Sequence, residues 1–152
     1  MGRLFKRLII VALLVFVGIQ FVRPARTNPP VDPNKAITKH IAVPADVKTL
    51  LDRGCWNCHS NQTVWPAYSY VAPVSWNVIS HVNEGRGSLN FTDWPEGPEE
   101  ASELLDAICD EVVKKRSMPM PQYTWLHPEA KLTDAERKRM CDWANAAAGE
   151  LY

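Results

Sequence analysis

Five consecutive residues, Cys55-Trp56-Asn57-Cys58-His59, hold the most reactive side chains of this chain. Two thiols three positions apart share one face of a helical turn, and an imidazole follows at once. That spacing lets both sulfurs add to the two vinyl groups along one porphyrin edge. His59 is then carried under the metal as its proximal ligand. The C-x-x-C-H run reads as a covalent attachment site for one haem c. Three other readings compete with it. A redox dithiol wants a βαβ surround, and no alternating strand pattern is present. Zinc needs four ligands, and Cys109 and Cys141 are not spaced as a second C-x-x-C pair. A plain disulfide within the motif is the third.

A haem iron has two axial positions, so a second ligand is expected. The candidates are Met118, Met120, His81, His127 and His40. In Ser117-Met118-Pro119-Met120-Pro121 each methionine precedes a proline, which pushes it out of helical geometry and into an extended loop. Such a loop can offer a thioether to iron, and Met118 is placed ahead of Met120. The competing role for a methionine is to fill a core gap. His127, before Pro128, equally suits a loop hydrogen bond.

Trp56, Trp65, Tyr68, Tyr70, Trp76, Phe91 and Trp94 crowd the same part of the chain and read as an apolar wall around the cofactor, which would raise its potential by excluding water. Tyr68, Tyr70 and Arg86 are candidate partners for a haem propionate, and Trp65 for the haem surround. A backbone carbonyl between Pro66 and Pro73 is expected to orient the other nitrogen of His59. Trp143 reads as ordinary core. Cys109 and Cys141 remain, and a disulfide between them is expected, with two buried reduced thiols as the alternative.

These groups need elements to position them. A short helix over Asp46 to Arg53 leads into Cys55, with Val47, Leu50 and Leu51 on one face. A second spans Val74 to Asn83, started by Pro73 and stopped by Gly85. A third runs from Glu99 to Arg116 on a clean 3.6-residue apolar spacing. The fourth begins at Thr133, where Thr133-Asp134-Ala135-Glu136 forms a capping box. The fold class expected is all-α: a cytochrome c-like domain of about four helices, with long loops around a covalently bound haem. Those loops, Ser60 to Ala72, Gly87 to Pro98 and Ser117 to Leu132, are long for so small a domain and point to a cofactor that holds them.

The chain has 152 residues, and its 17 Lys and Arg balance its 17 Asp and Glu. A strongly basic nucleic-acid binder is excluded on charge. Five of the basic residues, Arg3, Lys6, Arg7, Arg23 and Arg26, flank the uncharged run Leu8 to Val22, and every acidic residue follows it. That run gives about 22 Å of helix, or about 28 Å with Leu4 to Arg7 added, against a hydrocarbon core of about 30 Å. It reads as a transmembrane signal anchor, or alternatively as a cleaved signal peptide, over residues 1–23. Prolines 24, 29, 30, 33 and 44 make residues 24–44 an extended tether. The haem-binding domain is expected over 45–152.

Beyond the attachment site, the chain resembles the c-type cytochromes, and more closely the bacterial haem-binding domain family of small, N-terminally anchored, exported proteins. The matching residues are Cys55, Cys58, His59, Ser60, Asn61, Trp65-Pro66, Tyr68-Ser69, Ala72-Pro73, Trp76, His81, Gly85-Arg86 and Leu89-Asn90-Phe91. Further on come Trp94, Met118-Pro119, Tyr123, His127-Pro128 and Ala130-Lys131-Leu132. The family pattern has Met-Pro-Pro where this chain has Met118-Pro119-Met120. The resemblance implies haem binding.

The function expected is one-electron transfer by a membrane-tethered monohaem cytochrome, a carrier rather than a catalyst. Its partners would be redox proteins in or near the membrane. The location expected is the bacterial inner membrane, single-pass, with the haem domain in the periplasm, or fully exported if the signal is cleaved. A haem-based sensor or ligand-binding module is the alternative, as is a small haem peroxidase in which His81 or His127 acts with Arg86.

Overall fold

A computed structural model describes residues 2–151. Met1 and Tyr152, the two ends of the expected domain division, lie outside the described residues. Seven α-helices follow in order: α1 (Arg3–Ile19), α2 (Ile37–His40), α3 (Ala45–Gly54), α4 (Val74–Ser88), α5 (Pro98–Cys109), α6 (Pro121–Leu126) and α7 (Asp134–Gly149). Three 3-10 turns (Pro33–Lys35, Ala67–Tyr70 and Pro128–Ala130) and one π turn (Asp110–Lys114) complete the set, and no strand occurs among the described residues. The all-α class therefore stands, with seven helices rather than about four plus an N-terminal one, because α2 forms within the expected tether and α6 within the expected loop Ser117 to Leu132.

The N-terminal transmembrane helix is the larger correction. No helix among the described residues is long and apolar enough to cross a membrane. The uncharged run continues to Val22, but α1 stops at Ile19 after 17 residues. Residues beyond it are engaged elsewhere. The Gln20 amide donates to the Ala72 carbonyl at 3.1 Å and accepts from the Ala72 N–H at 2.9 Å. The Trp76 indole donates to the Val22 carbonyl at 2.7 Å.

The expected tether is likewise packed. Arg26 donates to the Ser69 carbonyl and lies 4.0 Å over the Tyr70 ring, while Asn28 donates to the Thr63 carbonyl. Ile37 and Ile41 are buried in the main core, well before Ala45. The backbone of Ile37 bonds to Phe91, and that of Trp94 to Lys35. Proline removes donors from this stretch, but its side chains and carbonyls still find partners on the domain.

The core forms where α5 lies along α7 and α3 closes against α7. Val47, Leu50 and Leu51 of α3 meet Leu105 and Ile108 of α5 and Met140, Trp143 and Ala144 of α7. Trp143 is core as expected, and its indole donates to the Ala42 carbonyl. The capping box at Thr133 forms with Glu136, starting α7 at Asp134. Arg139 pairs with Asp46 and Arg53 with Glu136, tying α7 to α3 across the surface.

Two helix ends differ from expectation for reasons of packing. Gly85 does not stop α4, which continues to Ser88. The expected helix Glu99 to Arg116 is α-helical to Cys109 and then widens into the π turn, ending where Arg116 takes a left-handed φ of 54°. The widened turn leaves carbonyls for tertiary use. Glu111 O accepts from the N–H of Met118, and Val112 O from the guanidinium of Arg137.

Cys109 and Cys141 are joined by a disulfide, their Cα atoms 4.5 Å apart and 32 positions apart in sequence. Closing that loop restricts the unfolded chain by roughly 3–4 kcal/mol. Replacing both cysteines by alanine is expected to lower unfolding free energy by about that amount, read from urea unfolding with the slope fitted separately for each chain.

Candidate cofactor site

Helix α3 delivers the motif. The N–H groups of Cys55 and Trp56 both donate to the Leu51 carbonyl, and those of Cys58 and His59 to the Cys55 carbonyl, winding 55–59 into one compact turn. The Trp56 ring stacks on Phe91 at 5.6 Å between centroids, and the Phe91 N–H donates to the His59 carbonyl at 2.8 Å. Cys55 and Cys58 are free thiols rather than a disulfide, so the plain-disulfide reading of the motif does not hold. Among the described residues no group of three or more His, Cys, Asp or Glu side chains is arranged to hold a metal ion by itself.

Both thiols and His59 open into one cavity of about 400 Å³, a size proper to a small-molecule site. Leu51, Leu89, Phe91, Ile108, Val112 and Met140 give it apolar walls, and Met118, Met120 and His81 also line it. A neighbouring pocket of about 140 Å³ shares Cys58, His81, Met120 and Tyr123 with it. The residues present fit a haem: two thiols and an imidazole on one turn, thioethers on the same cavity, and greasy walls between.

His59 Nδ1 lies 3.1 Å from the Leu89 carbonyl, which leaves Nε2 as the nitrogen free for a metal. The orienting carbonyl therefore comes from the end of α4, not from Pro66 to Pro73 as expected. Burial pushes the His59 imidazole below its ordinary pKa, against the pull of the Leu89 and Gly85 carbonyls, and so favours the neutral ring that a metal needs. Burial pushes the Cys55 thiol up to about 12, with Cys58 adding to the shift. The Cys58 thiol also rises by burial, against the pull of Arg86.

Gly85 explains how α4 comes so close. A Cβ there would meet the Cys58 carbonyl oxygen at 2.8 Å. Gly54, just before Cys55, is similar, since a Cβ would sit 3.2 Å from Pro119 of the methionine loop. That loop is fixed from the other side. The Arg137 guanidinium donates to the carbonyls of both Val112 and Met118 at 2.7 Å. Gly85 carried a sequence signal, a glycine inside a helical pattern, whereas Arg137 reads as an ordinary surface residue.

The remaining candidates separate. Met118 lines only the cavity of His59, while Met120 lines both pockets and its sulfur accepts from the Gln122 amide. His127 spends both ring nitrogens on protein, Nε2 with Tyr68 at 2.7 Å and Nδ1 with Glu129 at 3.1 Å. His40 is exposed and bonded to the Asn34 carbonyl.

Trp65, Tyr68, Tyr70 and Arg86 do not line the His59 cavity. Tyr68 lines the smaller pocket, and Tyr70 is exposed beneath Arg26. Arg86 donates to the carbonyls of Ser60 and Thr27 and to Asn28 and Thr63, with Trp65 below its guanidinium. Of the expected aromatic wall, Phe91 lines the cavity and Trp56 backs it.

Polar bonds, not only a cofactor, hold the long loops. Buried Ser60, Asn61, Thr63 and Thr92 are all paired, with Asn90 bridging Asn61 and Thr92.

Residues 14–146 match the haem-binding domain family, and the chain belongs to that family. Haem is thereby its cofactor class. The chain is also similar to the cytochrome c peroxidase Ccp of Escherichia coli (strain K12), 25% identical over 111 residues, which cover 68% of this chain and 23% of that protein. The chain thus spans about a quarter of that relative's length. No solved structure matches it.

Two outcomes test this geometry. Gly85→Ala is expected to cost about 1–3 kcal/mol and to lower haem content, because the Cys58 carbonyl is backbone and cannot rotate aside. Gly87→Ala, with open space around it, should leave both unchanged. In the haem-free, reduced chain, iodoacetamide labelling of Cys55 should stay slow in mildly alkaline buffer. It should accelerate only as pH nears the displaced value of about 12, whereas in urea the acceleration falls near the ordinary 9.0.

Proposed function

We propose that the chain carries one haem c, attached at Cys55 and Cys58 and ligated by His59 and Met118, and passes single electrons between partner redox proteins. One observation carries this reading: two free thiols, a carbonyl-oriented imidazole and the Met118 side chain line the same apolar cavity. A haem bound there supplies an iron that gains and loses one electron. The chain's own work is to keep that exchange from moving anything. Leu89 fixes the ring of His59, and Arg137 with Glu111 fixes the backbone of Met118 on both sides. Leu51, Ile108, Val112 and Met140 exclude water, which favours the less charged iron state.

We place the domain outside the cytoplasm. The Cys109–Cys141 disulfide and the uncharged N-terminal run support an oxidising, exported setting. A second reading, peroxide reduction, draws on the similarity to cytochrome c peroxidase. It would need an open sixth position and a proton donor, for which His81 is the other imidazole on the cavity.

One set of measurements decides between them. The chain made alongside haem-attachment machinery should keep one haem through denaturation and weigh one haem more than the polypeptide. Its ferric spectrum should show the weak red band of thioether ligation, with little carbon monoxide uptake when reduced. Met118→Ala should abolish that band, and Met120→Ala should preserve it. A colourless protein at bare polypeptide mass would end the proposal. Rapid carbon monoxide binding with peroxide turnover would transfer the chain to the second reading.

A further inference from the structure

Tyr68, His127 and Glu129 form a hydrogen-bonded line that the carrier reading leaves unused. Tyr68 Oη is 2.7 Å from His127 Nε2, and His127 Nδ1 is 3.1 Å from Glu129 Oε1. Hydrogen bonding from its own backbone N–H, then from His127, holds the Glu129 carboxyl below its ordinary range, so it is an acceptor only. The hydrogen between His127 and Glu129 therefore sits on Nδ1. In the neutral ring Nε2 is then a lone pair, and the Tyr68 hydroxyl donates to it. Burial holds the Tyr68 phenol above its ordinary range, which keeps that proton in place at rest. Tyr123 stacks on His127 at 4.4 Å between centroids and lines both pockets, joining this cluster to the cofactor cavity.

Removing an electron from a phenol makes its O–H strongly acidic. Without a base in contact, oxidation must pass through a charged radical cation, which a partly buried site solvates poorly. A lone pair 2.7 Å away removes that obstacle. We propose that Tyr68 is a redox-active tyrosine, oxidised by one electron as its proton crosses to His127. The Tyr68 O–H bond breaks and a bond from Nε2 to that hydrogen forms. The electron goes to a high-potential one-electron oxidant, such as a peroxide-derived species or a ruthenium(III) polypyridyl complex. A neutral tyrosyl radical remains, and the Glu129 carboxylate offsets the charge of the new imidazolium. One electron from a reductant reverses every step. The site would relay oxidising equivalents between the cavity wall and the surface, and it stands whichever of Met118, Met120 and His81 binds iron, since His127 spends both nitrogens on Tyr68 and Glu129.

The test uses the full-length ferric holoprotein, flash-oxidised with a ruthenium polypyridyl complex and persulfate in mildly alkaline buffer. Paramagnetic resonance reads radical identity and yield, and transient absorption reads its rate of formation. The wild type should form one neutral tyrosyl radical, more slowly in deuterated water, and Tyr68→Phe should lose it. His127→Gln should slow its formation at least about tenfold by removing the base. Glu129→Gln, a milder change that covers misfolding of the first, should slow it several-fold. The proposal is overturned if Tyr68→Phe keeps the full radical yield, or if both His127→Gln and Glu129→Gln form it as fast as the wild type. Neither readout follows the red band or the haem mass, so this proposal and the carrier reading fail separately.

Discussion

The contact between Gly85 and the Cys58 carbonyl sets the distance from α4 to the 55–59 turn, and the cavity takes its shape from that distance. Because α4 can lie directly on the turn, Leu89, the residue that follows its end, brings a carbonyl to His59 Nδ1. Any side chain at Gly85 would push helix and turn apart, and the imidazole would lose the acceptor that fixes its orientation. A helix-interior glycine, unfavourable for the helix by roughly 1 kcal/mol, is the cost of that approach.

The opposite side of the cavity depends on a second departure from regular structure. The π turn after α5 redirects carbonyls out of the helix, one to the backbone of Met118 and another to Arg137, which also holds the Met118 carbonyl. The disulfide at Cys109 ties the start of that turn to α7. Two cavity walls are thus braced by backbone geometry rather than by side-chain packing alone.

Around this centre the loops are fastened by buried polar side chains. Arg86 joins the segment after Cys58 to Thr27 and Asn28, so residues N-terminal to the core become part of the domain's surface. The same economy of donors removes Arg86 from the cavity and leaves His127 to Tyr68 and Glu129. Much of the polar chemistry is gathered beside the cavity, whose walls are mostly apolar, with His81, Glu84, Ser88 and Glu111 among them.

The local signals in the sequence were strong enough to stand without a structure. The C-x-x-C-H spacing is a property of one turn and the Thr133 capping box of four residues, and both form where they were read, while the apolar period read over Glu99 to Arg116 holds as α-helix only to Cys109. Tertiary structure decided what depends on two segments meeting. It assigned the His59 acceptor to Leu89 rather than to Pro66 through Pro73, and it made Gly85 a contact rather than a stop. It also paired the side chain of Gln20, just past the end of α1, with Ala72, 52 residues away. A side chain's bond or contact with a distant backbone leaves no periodicity, spacing or composition for a sequence to display, so only the folded chain could choose these partners.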